Sequence, residues 1–115
     1  MSTEQEVRQI EIEIEQAREL VKTRDALDRL MENPDFKEVI LTGYFKDEPA
    51  RLVELKAAPQ MEAAQHQANI IKSMDGIGAL QQYFNTIWHL GSNAESAIQD
   101  GHQAIDEIHA EEGGE

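Results

Sequence analysis

Cysteine is absent from this chain of 115 residues. That excludes disulfides, thiolate nucleophiles and Cys-type zinc sites, and fits a reducing compartment. Proline occurs three times, at Pro34, Pro49 and Pro59, so long stretches are free of any helix breaker. Aromatic residues make up 5% of the chain. The core is therefore expected to be built from Ile, Leu, Val, Met and Ala, with Phe36, Phe45, Phe84 and Trp88 as its large pieces. No apolar run approaches the length of a membrane span or of a signal peptide, and Ser2 to Ile14 is too acidic to target a membrane. A soluble intracellular protein, with no membrane partner, is the expectation. Basic residues are few as well: ten Lys and Arg stand against 23 Asp and Glu, a net charge of −13. Such a surface repels phosphate backbones, which argues against direct nucleic-acid binding and for either a basic partner or simple solubility.

What is present is helical periodicity. Residues 1–33 carry nine acids against five bases, residues 34–59 five against four, and residues 60–115 nine against Lys72 alone. From Glu4 to Glu32 there is neither Gly nor Pro. Val7, Ile10, Ile14, Ala17, Val21, Leu27 and Met31 form a stripe close to the three-four repeat of a coiled coil, interrupted by Arg24. The alternation in Ile10-Glu11-Ile12-Glu13-Ile14 would suit a strand, but Ala17 to Met31 continues only the helical period. A stripe this long predicts a helical arm that self-associates or docks on a protein partner. The competing arrangement is an antiparallel hairpin with residues 60–90, and Arg24 is easier to place near an end of a seam or beside an acid of another chain than deep in a monomer.

Asn33 can cap a helix that Pro34 begins, and Phe36, Val39, Ile40 and Gly43 share one face of it. A kink or short break is expected near 46–48, with Asp47 capping a new turn that contains Pro49, and Pro59 closes the segment. A third helix is predicted over Gln60 to Leu90, its buried face defined by Ile70, Met74, Ile77, Phe84 and Trp88. Those five should lie close to Phe36 and Ile40. Gly76 and Gly78 suggest a close helix crossing or a local bend. Gly91 reads as a C-cap, followed by a fourth helix with Ala94, Ala97, Ile98, Ile105 and Ile108 on one side. The terminal EEGGE is expected to fray.

A search for chemistry is mostly negative. His102, Asp106 and His109 share a helical face, and Asp106 to His109 matches half of a di-metal carboxylate-x-x-histidine pattern, but the other half is missing and Glu62 with His66 has the wrong spacing. His89 has no serine or carboxylate placed to complete a catalytic constellation. Tyr44, Tyr83 and Trp88 lack the surrounding Lys and Arg of a base-stacking platform, and Asp75-Gly76-Ile77-Gly78 lacks the third glycine and the strand of a phosphate loop. No catalytic, cofactor-binding or metal residue is assigned, and a non-enzymatic protein is expected.

Several runs together carry a resemblance: Asn33-Pro34-Asp35-Phe36-Lys37-Glu38-Val39-Ile40, Gly43-Tyr44-Phe45-Lys46-Asp47-Glu48, Ala50-Arg51-Leu52-Val53, Ile77-Gly78-Ala79-Leu80 and Tyr83-Phe84. In this order they resemble a group of small acidic helical proteins encoded by tailed bacteriophages. The resemblance covers about residues 28–112, and Pro49 stands where that group usually has a helix-forming residue. It implies a role in virion assembly, as a scaffold, head-associated or connector-type protein, located in the host cytoplasm or the virion. The alternative is an acidic inhibitor that offers carboxylates to a host nucleic-acid-binding enzyme in place of phosphates. The expected architecture is all-α, with a coiled-coil-like helical arm over residues 1–32, a small helical bundle over 33–112 and a frayed tail over 113–115.

Overall fold

The structure is a computed structural model that describes residues 2–113. It is all-α, with no strand among the described residues. Helix α1 spans Thr3–Glu32. Its start is a capping box: the Ser2 backbone N–H donates to Gln5 Oε1 at 3.0 Å, and the Gln5 N–H donates to Ser2 Oγ at 3.2 Å. The strand-like alternation at Ile10 to Ile14 lies wholly inside this helix. Ile14 is buried and Ile10 half-buried, whereas Ile12 points to solvent. A helix places alternate residues on different faces, so the period of two had no second surface to serve.

Asn33 separates α1 from the single α-turn α2, Pro34–Phe36. Its backbone is extended, with φ −69° and ψ 124°, and its side-chain oxygen accepts from the N–H groups of Asp35 and Phe36, both at 3.0 Å. The cap expected from Asn33 and Pro34 is therefore formed. The chain then widens into a π-helix over Lys37–Asp47, closed where the Glu48 N–H donates to the Gly43 carbonyl five residues back. Helix α3 follows without a gap over Glu48–Ala57. Of the kink or short break expected near 46–48, no break occurs: Asp47 keeps helical angles and makes no side-chain cap bond, and the helix changes there from π to α register. Pro49 instead sits just past the change of hydrogen-bond register. The wide π-turn draws the preceding carbonyls away from the place where a tight α-turn would set one against the proline ring.

Ala58 is extended, with ψ 134°, so Pro59 ends α3 and opens a 3₁₀ turn, Pro59–Met61. The Gln67 side chain returns to close this corner, donating from Nε2 to the carbonyls of Lys56 at 3.0 Å and Met61 at 2.8 Å. These are acceptors that the ends of the two short helices would otherwise leave bare. The last element, α4, runs unbroken over Ala64–Gly113. It replaces the two helices expected on either side of Gly91, which lies inside the helix and is buried. Of the expected frayed tail, Gly113 ends α4, and residues 114 and 115 lie outside the described residues.

By its contacts the chain gathers into one unit made of residues up to Ala26 with those from Ile87 on, and a second unit of Leu27–Thr86. In the second unit Leu52, Ile70 and Ile77 are the buried centre, with Tyr44, Phe45, Leu55, Met61 and Met74 packed around them. Half-buried Phe84 joins a ring cluster there, with centroids 6.0 Å from Phe36 and 5.8 Å from Phe45. Ile70, Met74, Ile77, Phe84 and Phe36 thus fall in one unit as expected. Trp88 does not share it: the residue belongs to the other unit and is 47% exposed. The helical stripe passes on from Phe84 to Ile87 and Gly91, leaving Trp88 beside it.

At the first turn of α3, Arg51 hydrogen-bonds Glu48, its Nε donating to Oε1 at 2.9 Å. These bonds hold the Glu48 carboxyl below the usual glutamate range, although desolvation opposes them. The stabilisation is thus present above the ordinary glutamate value and is lost as pH falls through the lowered one. Glu48→Gln should remove part of the acid limb of the stability profile, read from urea midpoints at several pH values. Within the same unit, Leu52→Ala should cost about 2–5 kcal/mol, because Leu52 is 3% exposed. Gly78→Ala should stabilise by about 1 kcal/mol, since nothing lies within 4 Å of the added carbon and alanine is the better helix former. Chemical denaturation measures both signs.

Candidate interaction surface

The first unit is a helical hairpin. On α1 the residues Val7, Ile10, Ile14, Ala17, Val21 and Arg24 recur at spacings of three and four. On α4 so do Gly91, Ala94, Ile98, Gly101, Ile105 and Ile108. Ile14, Ala17, Gly91 and Ala94 are buried and the others half-buried. The two stripes face each other antiparallel. A side chain grown at Gly91 would meet Arg24, and one grown at Gly101 would meet Ile14 and Ile10. Further along, Thr3 and Val7 line grooves with Ile108 and His109.

Two glycines make this approach possible. A Cβ at Gly91 would lie 2.4 Å from Arg24 Cβ, and one at Gly101 would lie 2.9 Å from Ile14 Cγ1. Any larger residue would force the helices apart, so the seam is closed by the absence of side chains on α4 as much as by their presence on α1. The close crossing expected at Gly76 and Gly78 is found here instead. At Gly76 an added carbon would meet only the Tyr44 hydroxyl at an ordinary 3.5 Å.

Arg24 occupies a seam position with its side chain 15% exposed. Its Nη1 donates to Glu95 Oε2 at 2.6 Å, and its Nε and Nη2 donate to Asp25 Oδ1 at 3.3 Å and 3.1 Å. The hydrogen bond to Glu95, then that to Asp25, raises the guanidinium above its usual range. The acid beside Arg24 is supplied by α4 of the same chain.

The seven residues singled out in the sequence therefore separate. Val7, Ile10, Ile14, Ala17 and Val21 lie in the hairpin seam, covered by α4. Leu27 is buried and Met31 half-buried in the other unit. The division has a local cause: Val21, Arg24 and Leu27 follow at two spacings of three, which rotates the stripe off the seam line. The other wall is formed by residues from Ile87 onward rather than by residues 60–90. Its signal was legible as a three-four repeat from Phe84 through Ile87 to Ile108, but two of its members are glycines and so carry no hydrophobic mark.

Outside the seam, His102 lines a groove with Glu11, Glu15 and Arg18, and His109 lines one with Glu4, Arg8 and Glu11. Asp106 is exposed. Among the described residues no three His, Asp or Glu side chains gather closely enough to hold a metal ion. No helix among them is long and apolar enough to cross a membrane. Charge is divided unevenly: residues up to 26 and from 87 on hold fourteen acids against four bases, and residues 27–86 hold nine against six. The chain matches no family model, no curated protein and no solved structure.

Gly91→Ala should destabilise the hairpin, because overpacking of about 1–3 kcal/mol outweighs a helix gain of about 1 kcal/mol. Gly101→Ala should cost less, since the branches of Ile14 can turn aside and Arg24 Cβ cannot. Urea midpoints decide the order. Closure within one chain also predicts a melting temperature independent of protein concentration; a rise with concentration would show that chains share the seam.

Proposed function

We propose that this is a non-enzymatic interaction protein that works through helical surfaces, and that its setting is the assembly of a tailed-phage particle. The observation that supports the interaction reading is what the hairpin leaves uncovered. Two helices can bury only one seam between them, and Ile12, Leu20 and Leu90 stay exposed around it. A rigid helical hairpin with apolar side chains outside its seam suits the helix-against-helix mode of recognition. A free seam on α1 is not part of this support, because α4 covers it. The assembly setting rests on the resemblance of residues 28–112 to small acidic phage proteins, a likeness at the level of the family.

The second reading, an acidic inhibitor of a host nucleic-acid-binding enzyme, is favoured by one observation: ten of the thirteen net negative charges fall in the hairpin unit. Quantitative mass spectrometry of phage particles and particle precursors separates the two. The assembly reading expects the protein at a constant ratio to a structural protein in one of these fractions. Its confinement to the soluble lysate, with inhibition of a host nuclease or polymerase by the purified protein, would replace that reading with the second.

A further inference from the structure

The two flanks of the hairpin differ in chemistry. Lettering the seam as a heptad makes Val7, Ile14 and Val21 position a and Ile10, Ala17 and Arg24 position d on α1. On α4, Gly91, Ile98 and Ile105 are a, and Ala94, Gly101 and Ile108 are d. Because the helices run antiparallel, e positions meet e positions along one flank and g positions meet g positions along the other. The grooves agree: Glu11, Arg18 and His102, all e, line one, and Glu6 and Glu111, both g, line another.

Every basic side chain of this unit outside the seam that is a Lys or Arg, namely Arg8, Arg18 and Lys22, falls on the e flank or the b positions beside it. The Arg24 ion pair with Glu95 opens to the same flank. The g flank and its neighbouring c positions hold no Lys, Arg or His at all. They hold the exposed acids Glu6, Glu13, Asp100, Glu107 and Glu111. Between these acids runs an apolar line: Leu90, Ala97 and Ala104 recur every seven residues on α4, with Leu20 opposite on α1. Leu20 is 41% and Leu90 45% exposed. Since Arg24 lies level with Gly91 and Ile14 with Gly101, Leu20 falls between the levels of Leu90 and Ala97.

We propose that this g flank is a docking face for a basic amphipathic helix of a partner protein, which completes a three-helix arrangement with the hairpin. The inference rests on the interaction reading above and names its partner class. The occupant follows from charge complementarity. An apolar stripe on the incoming helix would cover Leu20, Leu90, Ala97 and Ala104, the two alanines allowing its axis to come close. Lys or Arg on both edges of that stripe would meet acids on both helices of the hairpin. A second copy of this chain offers the opposite, since its own g flank would set carboxylates against carboxylates.

The test uses the intact chain and two labelled synthetic peptides of one Leu, Ala and Lys composition. One is patterned as an amphipathic helix, and the other is scrambled so that its lysines ring the helix. Fluorescence anisotropy should show the patterned peptide binding more tightly than the scrambled one, with an affinity that falls as salt is raised. Reversing the g flank with Glu13→Lys and Asp100→Lys should weaken binding by about tenfold or more. The same charge change on the other flank, Glu15→Lys with Asp106→Lys, should alter it by about twofold at most. All four positions are exposed, and matching melting curves exclude a folding defect. Equal binding of the two peptides, equal effects of the two reversals, no binding, or light scattering that shows the g flank occupied by a second chain would each overturn the proposal. Presence in particles with failure here would remove this face alone; peptide binding as expected with absence from particles would remove the assembly setting and leave the face.

Discussion

The hairpin depends on one steric constraint: the Cβ of Arg24 stands where a side chain at Gly91 would have to be, only 2.4 Å from the ideal position. With Gly101 repeating the arrangement against Ile14 nearly three turns on, α4 presents backbone rather than side chains to α1. Close approach places Arg24 between the helices, where its charge is tolerable only because Glu95 and Asp25 hold it. A charged group at one level of an otherwise apolar seam also distinguishes the correct register from neighbouring ones, since sliding by a heptad would part Arg24 from Glu95.

The Leu27–Thr86 unit solves a different problem, that of folding a short chain segment back on α4. Three short helical pieces and a π-helix supply the curvature, and the corner is tied by the Gln67 amide to two carbonyls. Apolar closure comes from Leu52, Ile70 and Ile77, with the Phe36, Phe45 and Phe84 rings stacked at tilted or edge-on angles beside them. Such aromatic packing adds to simple area burial and suits a small unit with few large residues.

Placing α1 against α4 also sorts the surface. In the linear sequence the acids are interspersed with bases throughout residues 1–26, and no face is evident. Once the seam is fixed, Arg8, Arg18 and Lys22 fall on one flank together with the histidines His102 and His109, while the other flank is left with acids and an apolar line. The chemistry of a helical surface is read from which face a residue occupies.

The sequence by itself determined the all-α class, the extent of α1, the Asn33 and Pro34 start and the stop at Pro59. These follow from local rules: periodicity over a long window, a side chain that satisfies free N–H groups, and a ring that cannot continue a helix. It also placed Ile70, Met74, Ile77 and Phe84 on a buried face, because adjacent turns of one helix need no knowledge of the partner. Tertiary structure decided the rest. Gly91 looks like a helix end to any local rule, yet it is a helix interior because packing against Arg24 outweighs the roughly 1 kcal/mol cost of glycine there. The partner of the α1 stripe, the exposure of Trp88 and the acid-only flank share that origin. Each depends on which residues about seventy to ninety positions apart come to lie opposite one another, and a glycine in a seam leaves no apolar side chain to announce it.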